Sequence, residues 1–146
     1  MRLGPETWSV CCYTVSRKAK PPHGPVGPAQ PGGLPERARV VLDTLAGLEP
    51  ELKAAAVLSG TGEVLASTSD DEGFARSAAD FADALAAAGP GELDSSHVAT
   101  EEAEIFMVSE SGFSLVAVTA RFVLASLTSF DIRMSLRDLA AGERDA

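Results

Sequence analysis

From residue 35 onward apolar side chains recur in two rhythms, one of about 3.6 residues and one of two, and the switches between them outline the fold. Ala38, Val41, Leu42, Leu45 and Leu48 lie three and four apart and predict a helix over 35–48. Pro35 suits its first position, where the missing N–H costs nothing, and Pro50 ends it. The run Ala54 to Ser59, the loop Ser59-Gly60-Thr61-Gly62 and the run Glu63 to Thr68 predict a hairpin, because glycine supplies the positive φ that a tight loop needs. A second helix is predicted from Ser69-Asp70-Asp71-Glu72, which has the form of a capping box, to the stop Gly89-Pro90-Gly91. Phe74, Ala78, Phe81, Ala82 and Leu85 make one stripe of it, and Ala75, Ala79 and Ala86 an adjoining face of small residues.

Three strands are predicted next, over 97–109, 113–120 and 122–128, and then a helix over 130–141 with Ile132, Leu136, Leu139 and Ala140 inward and Arg133 and Arg137 on its exposed side. The middle strand carries Val116 and Val118 on one face and Phe113, Leu115 and Ala117 on the other, the mark of a strand central in a sheet. The first of the three differs. Glu101, Glu102 and Glu104 precede Ile105, Phe106, Met107 and Val108, and charge of this kind protects an edge. This places Ile105, Phe106, Met107 and Val108 at the sheet's rim, where another chain could pair with them. Short connections make the sheet antiparallel, so the expected fold is α+β, in the order α-β-β-α-β-β-β-α with five strands.

Composition alters this picture at the N-terminus. Between Pro21 and Pro35 prolines and glycines dominate, and residues 1–34 read as a disordered tail ahead of a single domain over 35–146. A secretory signal is disfavoured there: the patch Trp8 to Val15 is short and interrupted, and Arg17, Lys18 and Lys20 follow it rather than precede it. The tail holds Arg2, Arg17, Lys18 and Lys20 against Glu6 alone, whereas the remainder holds eight basic and twenty acidic side chains. So acidic a body repels a phosphate backbone, which argues against nucleic acid as a partner. No apolar run approaches the roughly 20 residues that cross a bilayer, so membrane insertion is not expected. The two cysteines, Cys11 and Cys12, are adjacent and lack metal or redox spacing, and a body without cysteine fits the cytoplasm.

No catalytic set emerges, so the chain is expected not to be an enzyme and to need no metal or cofactor. His97 is the only histidine after residue 34 and reads as a packing or surface residue. The glycines of the hairpin lack the lysine and hydroxyl that complete a phosphate loop. Asp70/Asp71 and Glu101/Glu102 lack calcium-loop spacing.

The succession from Val41 to Leu139 resembles the roadblock/LC7 family. The resemblance is carried by Leu42-Asp43-Thr44-Leu45, by the hairpin Ala55-Ala56-Val57-Leu58-Ser59-Gly60-Thr61-Gly62-Glu63-Val64-Leu65-Ala66, by Phe113-Ser114-Leu115-Val116-Ala117-Val118, and by Phe122-Val123-Leu124-Ala125-Ser126-Leu127. It implies a homodimer in which edge strands of two copies join into one sheet and the second helices pack side by side. The interface is then expected at Ala75, Ala78, Ala79 and Ala82 on the helix and at Ile105 to Val108 on the strand. It also implies a Ras-like small GTPase as partner, with the chain as regulator or scaffold, and the alanine-rich, lysine-poor composition looks bacterial. The alternative reading is a profilin-like sensory domain, which would hold a small ligand in a cavity beneath the second helix.

Overall fold

The computed structural model describes residues 10–18 and 33–144. Nine elements follow one another: β1 (Val10–Lys18), α1 (Leu34–Leu48), β2 (Leu52–Leu58), β3 (Val64–Ser67), α2 (Glu72–Ala87), β4 (Glu92–Thr100), β5 (Glu104–Glu110), β6 (Phe113–Thr119) and α3 (Ala125–Arg144). The strands form one antiparallel sheet in the order β1-β4-β5-β6-β2-β3. Hairpins make most of the links, and β6 returns to β2 across the sheet.

The two faces of the sheet are clothed differently. On one, α1 and α3 lie side by side. Leu42, Leu45, Phe106, Leu115, Ile132, Leu136 and Leu139 are fully buried there with Val57 and Val108. On the other, α2 lies alone, and its Ala78, Ala82 and Leu85 close over Ala56, Leu58, Leu93, Met107 and Val116. The alternation in β6 sends Phe113, Leu115 and Ala117 to the first face and Val116 to the second, as its pattern predicts.

Four expectations are corrected. The sheet has six strands rather than five, because Val10–Lys18, placed by the sequence in a disordered tail, pairs along β4. The remaining tail residues, 1–9 and 19–32, lie outside the described residues. The span 97–109 is not one strand. It turns at 101–103, where the Thr100 hydroxyl accepts from the N–H groups of Glu102 and Ala103 and donates to the Ala103 carbonyl. That internal bonding gives Glu101 and Glu102 to an exposed turn. The span 122–128 is not a strand either. Phe122 takes φ 66°, and the N–H groups of Leu127 and Thr128 both reach the Leu124 carbonyl, which opens α3. A short apolar run fits either rhythm, and here the stripe Thr128, Ile132, Leu136 claims it for the helix. The fourth correction is the cap of α2: Asp71, not Ser69, accepts from Gly73 N–H at 2.8 Å, while the Ser69 hydroxyl holds Asp71 N–H at 3.0 Å.

Candidate interaction site

The expected interface residues separate in space. Ile105, Phe106, Met107 and Val108 lie in β5, which is paired on one side by β4 and on the other by β6. They are therefore not at the rim, and an outside strand cannot reach their backbone. Phe106 and Val108 are fully buried beneath α3, Met107 is buried beneath α2, and Ile105 is half-buried beside it. The glutamates misled because they do different work. Glu104 is buried, its Oε1 2.7 Å from His97 Nε2 and its Oε2 accepting from Val123 N–H at 3.2 Å. It ties β4, β5 and the lead into α3 together. His97 also stacks on Phe106 with ring centroids 4.5 Å apart, so it is held as a packing residue.

On α2, Ala78 and Ala82 are spent on the chain's own core. Ala75 and Ala79 are half-buried on the flank that looks toward the β2–β3 loop. There Asp83 Oδ1 comes within 3.4 Å of where a Cβ on Gly62 would sit, and Gly62 has φ +90°. The opposite flank carries Phe74 and Phe81, partly buried against the same core together with Val15 and Ile105. One helix, about 10 Å wide, cannot cover six strands spaced about 4.8 Å apart. Ala54, Ile105 and Val118, which share the α2 face, accordingly stay only partly buried. The apolar half-open strip therefore runs beside α2, with Phe74 and Phe81 as its border.

The rim next to that strip is β4 with β1 laid on it. The ladder runs from Val10↔Thr100 to Lys18↔Glu92 and is broken by two register shifts, at Val10/Cys12 and Ser16/Arg17. Val15 sits opposite Ser96 and enters the α2-side core. Arg17 reaches over the C-terminus of α2, where its Nη2 donates to the Leu85 carbonyl, a favourable place for a cation. Ser96 Oγ and Arg17 Nη1 are buried there without a hydrogen-bond partner.

Arg133, half-buried, and Arg137, exposed as expected, join a network with acidic side chains of β4 and β5. Arg133 Nη1 lies 2.7 Å from Glu110 and 3.2 Å from Asp94, and Arg137 Nε lies 2.8 Å from Glu110. Burial alone would push the Glu110 carboxyl up. Hydrogen bonds from Arg137 and Arg133 outweigh it and hold the group below its ordinary value. Glu49, buried where α1 ends, moves the other way: burial first, and the Asp131 carboxyl second, push it up, with Thr128 pulling partly back. A groove of about 310 Å³ lies between α1 and α3, lined by Val40, Val41, Thr44, Leu139 and the polar Arg37, Ser135 and Asp138, rather than beneath α2. Among the described residues no three His, Cys, Asp or Glu side chains gather as metal ligands, and no helix is long and apolar enough to cross a membrane.

No protein-family model matches the chain, and no curated relative does. Solved structures do. A Roadblock/LC7 domain from Streptomyces avermitilis superposes with a TM-score of 0.61 at 20% identity, over 70% of this chain and 93% of that one. The gliding protein MglB from Thermus thermophilus gives 0.61 at 19% identity, over 84% of this chain and all of that one. The fold is that of the roadblock/LC7 domain. A profilin, LokiProfilin1 in complex with rabbit actin, gives 0.54 at 12% identity over 81% of this chain and 98% of that one. At these identities the likeness is one of architecture, and the roadblock domains are the better match.

Proposed function

We propose that this chain is a non-catalytic interaction domain that works as a pair of copies and regulates or scaffolds a Ras-like small GTPase. The observation that carries the reading is the roadblock fold with an apolar strip left half-open beside α2. A second copy's α2, set against Phe74 and Phe81 about a two-fold axis, would cover Ile105 and Val118 and complete this face with two helices, as the other face already has. The strand part of the interface then moves from Ile105–Val108 to β4, the rim of the body formed by residues 33–144. Ala75 and Ala79 lie on the other flank of α2, away from this strip, whereas Ala78 and Ala82 act by letting α2 sit close to its own sheet. The acidic body favours a partner whose contact surface is basic. The reading places the protein in a bacterial cytoplasm.

The test is binding of the full chain to each purified Ras-like GTPase of the same genome, loaded with a non-hydrolysable GTP analogue, followed by single-turnover hydrolysis. The expected result is one GTPase bound at micromolar concentration, with its hydrolysis rate or nucleotide preference changed. No binding to any of them, by a chain shown to be folded and paired, would remove the proposal. The sensory alternative needs a cavity beneath α2, whereas the groove described above lies between α1 and α3 on the other side of the sheet.

A further inference from the structure

β1 is joined to the body along the chain by residues 19–33, a stretch rich in proline and glycine, and in space by its ladder with β4, the Val15 side chain and the Arg17 bond to Leu85. That ladder fits poorly. An extra β1 residue between Val10 and Cys12 interrupts it, besides the extra β4 residue at Asp94, and it leaves Ser96 Oγ buried opposite Val15, which has no group to bond it. β4 offers a better match to itself. Its span Glu92–Thr100 has Ser96 at the middle. Two copies laid antiparallel about that residue bring the two Ser96 hydroxyls face to face, where each satisfies the other. Ser95 then stands opposite His97, and past the extra β4 residue Asp94, Leu93 stands opposite Val98, both on the α2 side. Glu92 then falls opposite Ala99, and Asp94 is the extra residue with none directly opposite, so no like charges are paired.

We infer that β1 is a built-in competitor for the β4 rim: with β1 seated the chain is a single copy, and with β1 released β4 pairs with the β4 of a second copy. This rests on the pairing of copies proposed above and adds a control to it. Seating and pairing exclude each other, because both use the same row of backbone N–H and carbonyl groups. Arg17 is the latch: its guanidinium ties β1 to the Leu85 carbonyl at the end of α2, beside the strip that the second copy would cover. Releasing β1 thus uncovers the strand edge and the helix end together.

The experiment uses the full chain and its Val15→Pro variant, whose proline fixes φ, carries no N–H and disfavours pairing at the centre of β1. Light scattering gives the mass, and amide hydrogen exchange reports Val10–Lys18 and Ser95–Val98. The expected result at micromolar concentration is one copy for the natural chain, with both segments protected. Val15→Pro should have twice that mass, with Ser95–Val98 still protected and Val10–Lys18 open. A peptide of residues 10–18 added in excess should return the variant to one copy. A natural chain that is already double with Val10–Lys18 protected overturns the competition and leaves the pairing of copies intact. A folded Val15→Pro variant that stays single, with the N–H groups of Ser95–Val98 that do not bond to β5 exchanging freely, overturns the pairing at β4 itself. Arg17→Ala is the milder variant should proline prevent folding. Loss of a charge-assisted bond should lower the concentration at which copies pair by about tenfold, and no change would count against the latch.

Discussion

The two faces of the sheet show two ways of burying the same strands. The α1/α3 face is packed with large branched and aromatic side chains that are fully buried, and it is finished within one chain. The α2 face buries a smaller cluster with no aromatic ring fully inside it, and leaves Phe74, Phe81, Ile105 and Val118 part-way out. The first face is about stability. The second gives up apolar burial within one chain and so keeps a surface on which a partner can gain it.

Deletion of buried bulk tests this contrast most strongly. Phe106→Ala removes a ring held between His97 and the α3-side core and should cost about 3–5 kcal/mol in denaturant unfolding. Leu85→Ala, its counterpart under α2, should cost about 2–3 kcal/mol, since a face already half-open loses less when it relaxes. Equal losses would mean that the two faces do not differ in this way. Asp71→Ala takes away the side-chain acceptor for Gly73 N–H and should cost about 1 kcal/mol, with exchange protection falling in the first turn of α2 and unchanged in α3.

The smallest effect is on pH dependence, and the two carboxyls should pull in opposite directions. Glu110 is held below its ordinary value of 4.5 when folded, so its contribution is complete above that pH and is lost as pH falls through the folded value. Glu49 is held above 4.5, so what protonation contributes is present below 4.5 and is lost as pH rises through its raised value. Denaturant midpoints followed from pH 7 down to pH 3 should therefore fall less steeply in Glu110→Gln than in the natural chain. In Glu49→Gln the midpoint should rise most at the neutral end. Parallel pH curves for all three proteins would contradict both assignments.

Helical periodicity and turn chemistry were enough to read α1, the β2–β3 hairpin, α2 and β6 from the sequence, because each is a local decision made by its own residues. Where the reading failed, a local signal had a non-local cause. Glu104 looked like an edge-guarding charge, yet it is buried because His97 and the Val123 N–H, distant in sequence, satisfy it. The run Phe122 to Thr128 looked like a strand until the stripe continuing to Leu136 is set beside it. Val10–Lys18 was hidden by its neighbours: alternation is visible in Tyr13, Val15 and Arg17, but the prolines that follow dominate the composition. The candidate interface suffered most, since which strand lies at a rim is a property of the whole sheet. The stripe Ala78, Ala82 and Leu85 does pack on the sheet, because which side of a helix is apolar follows from helix geometry alone.

The strand order also bears on how the chain assembles. β4, β5, β6 and α3 follow one another with short turns between them, so their pairings close small loops and can form early. The β1–β4 ladder instead joins the first described segment to one beyond α2, the longest loop of any pairing in the sheet, and the entropy of closing it grows with that length. A ribosome finishing this chain thus releases the competitor first and its seat much later, leaving an interval in which newly made neighbours could meet before either has closed on itself.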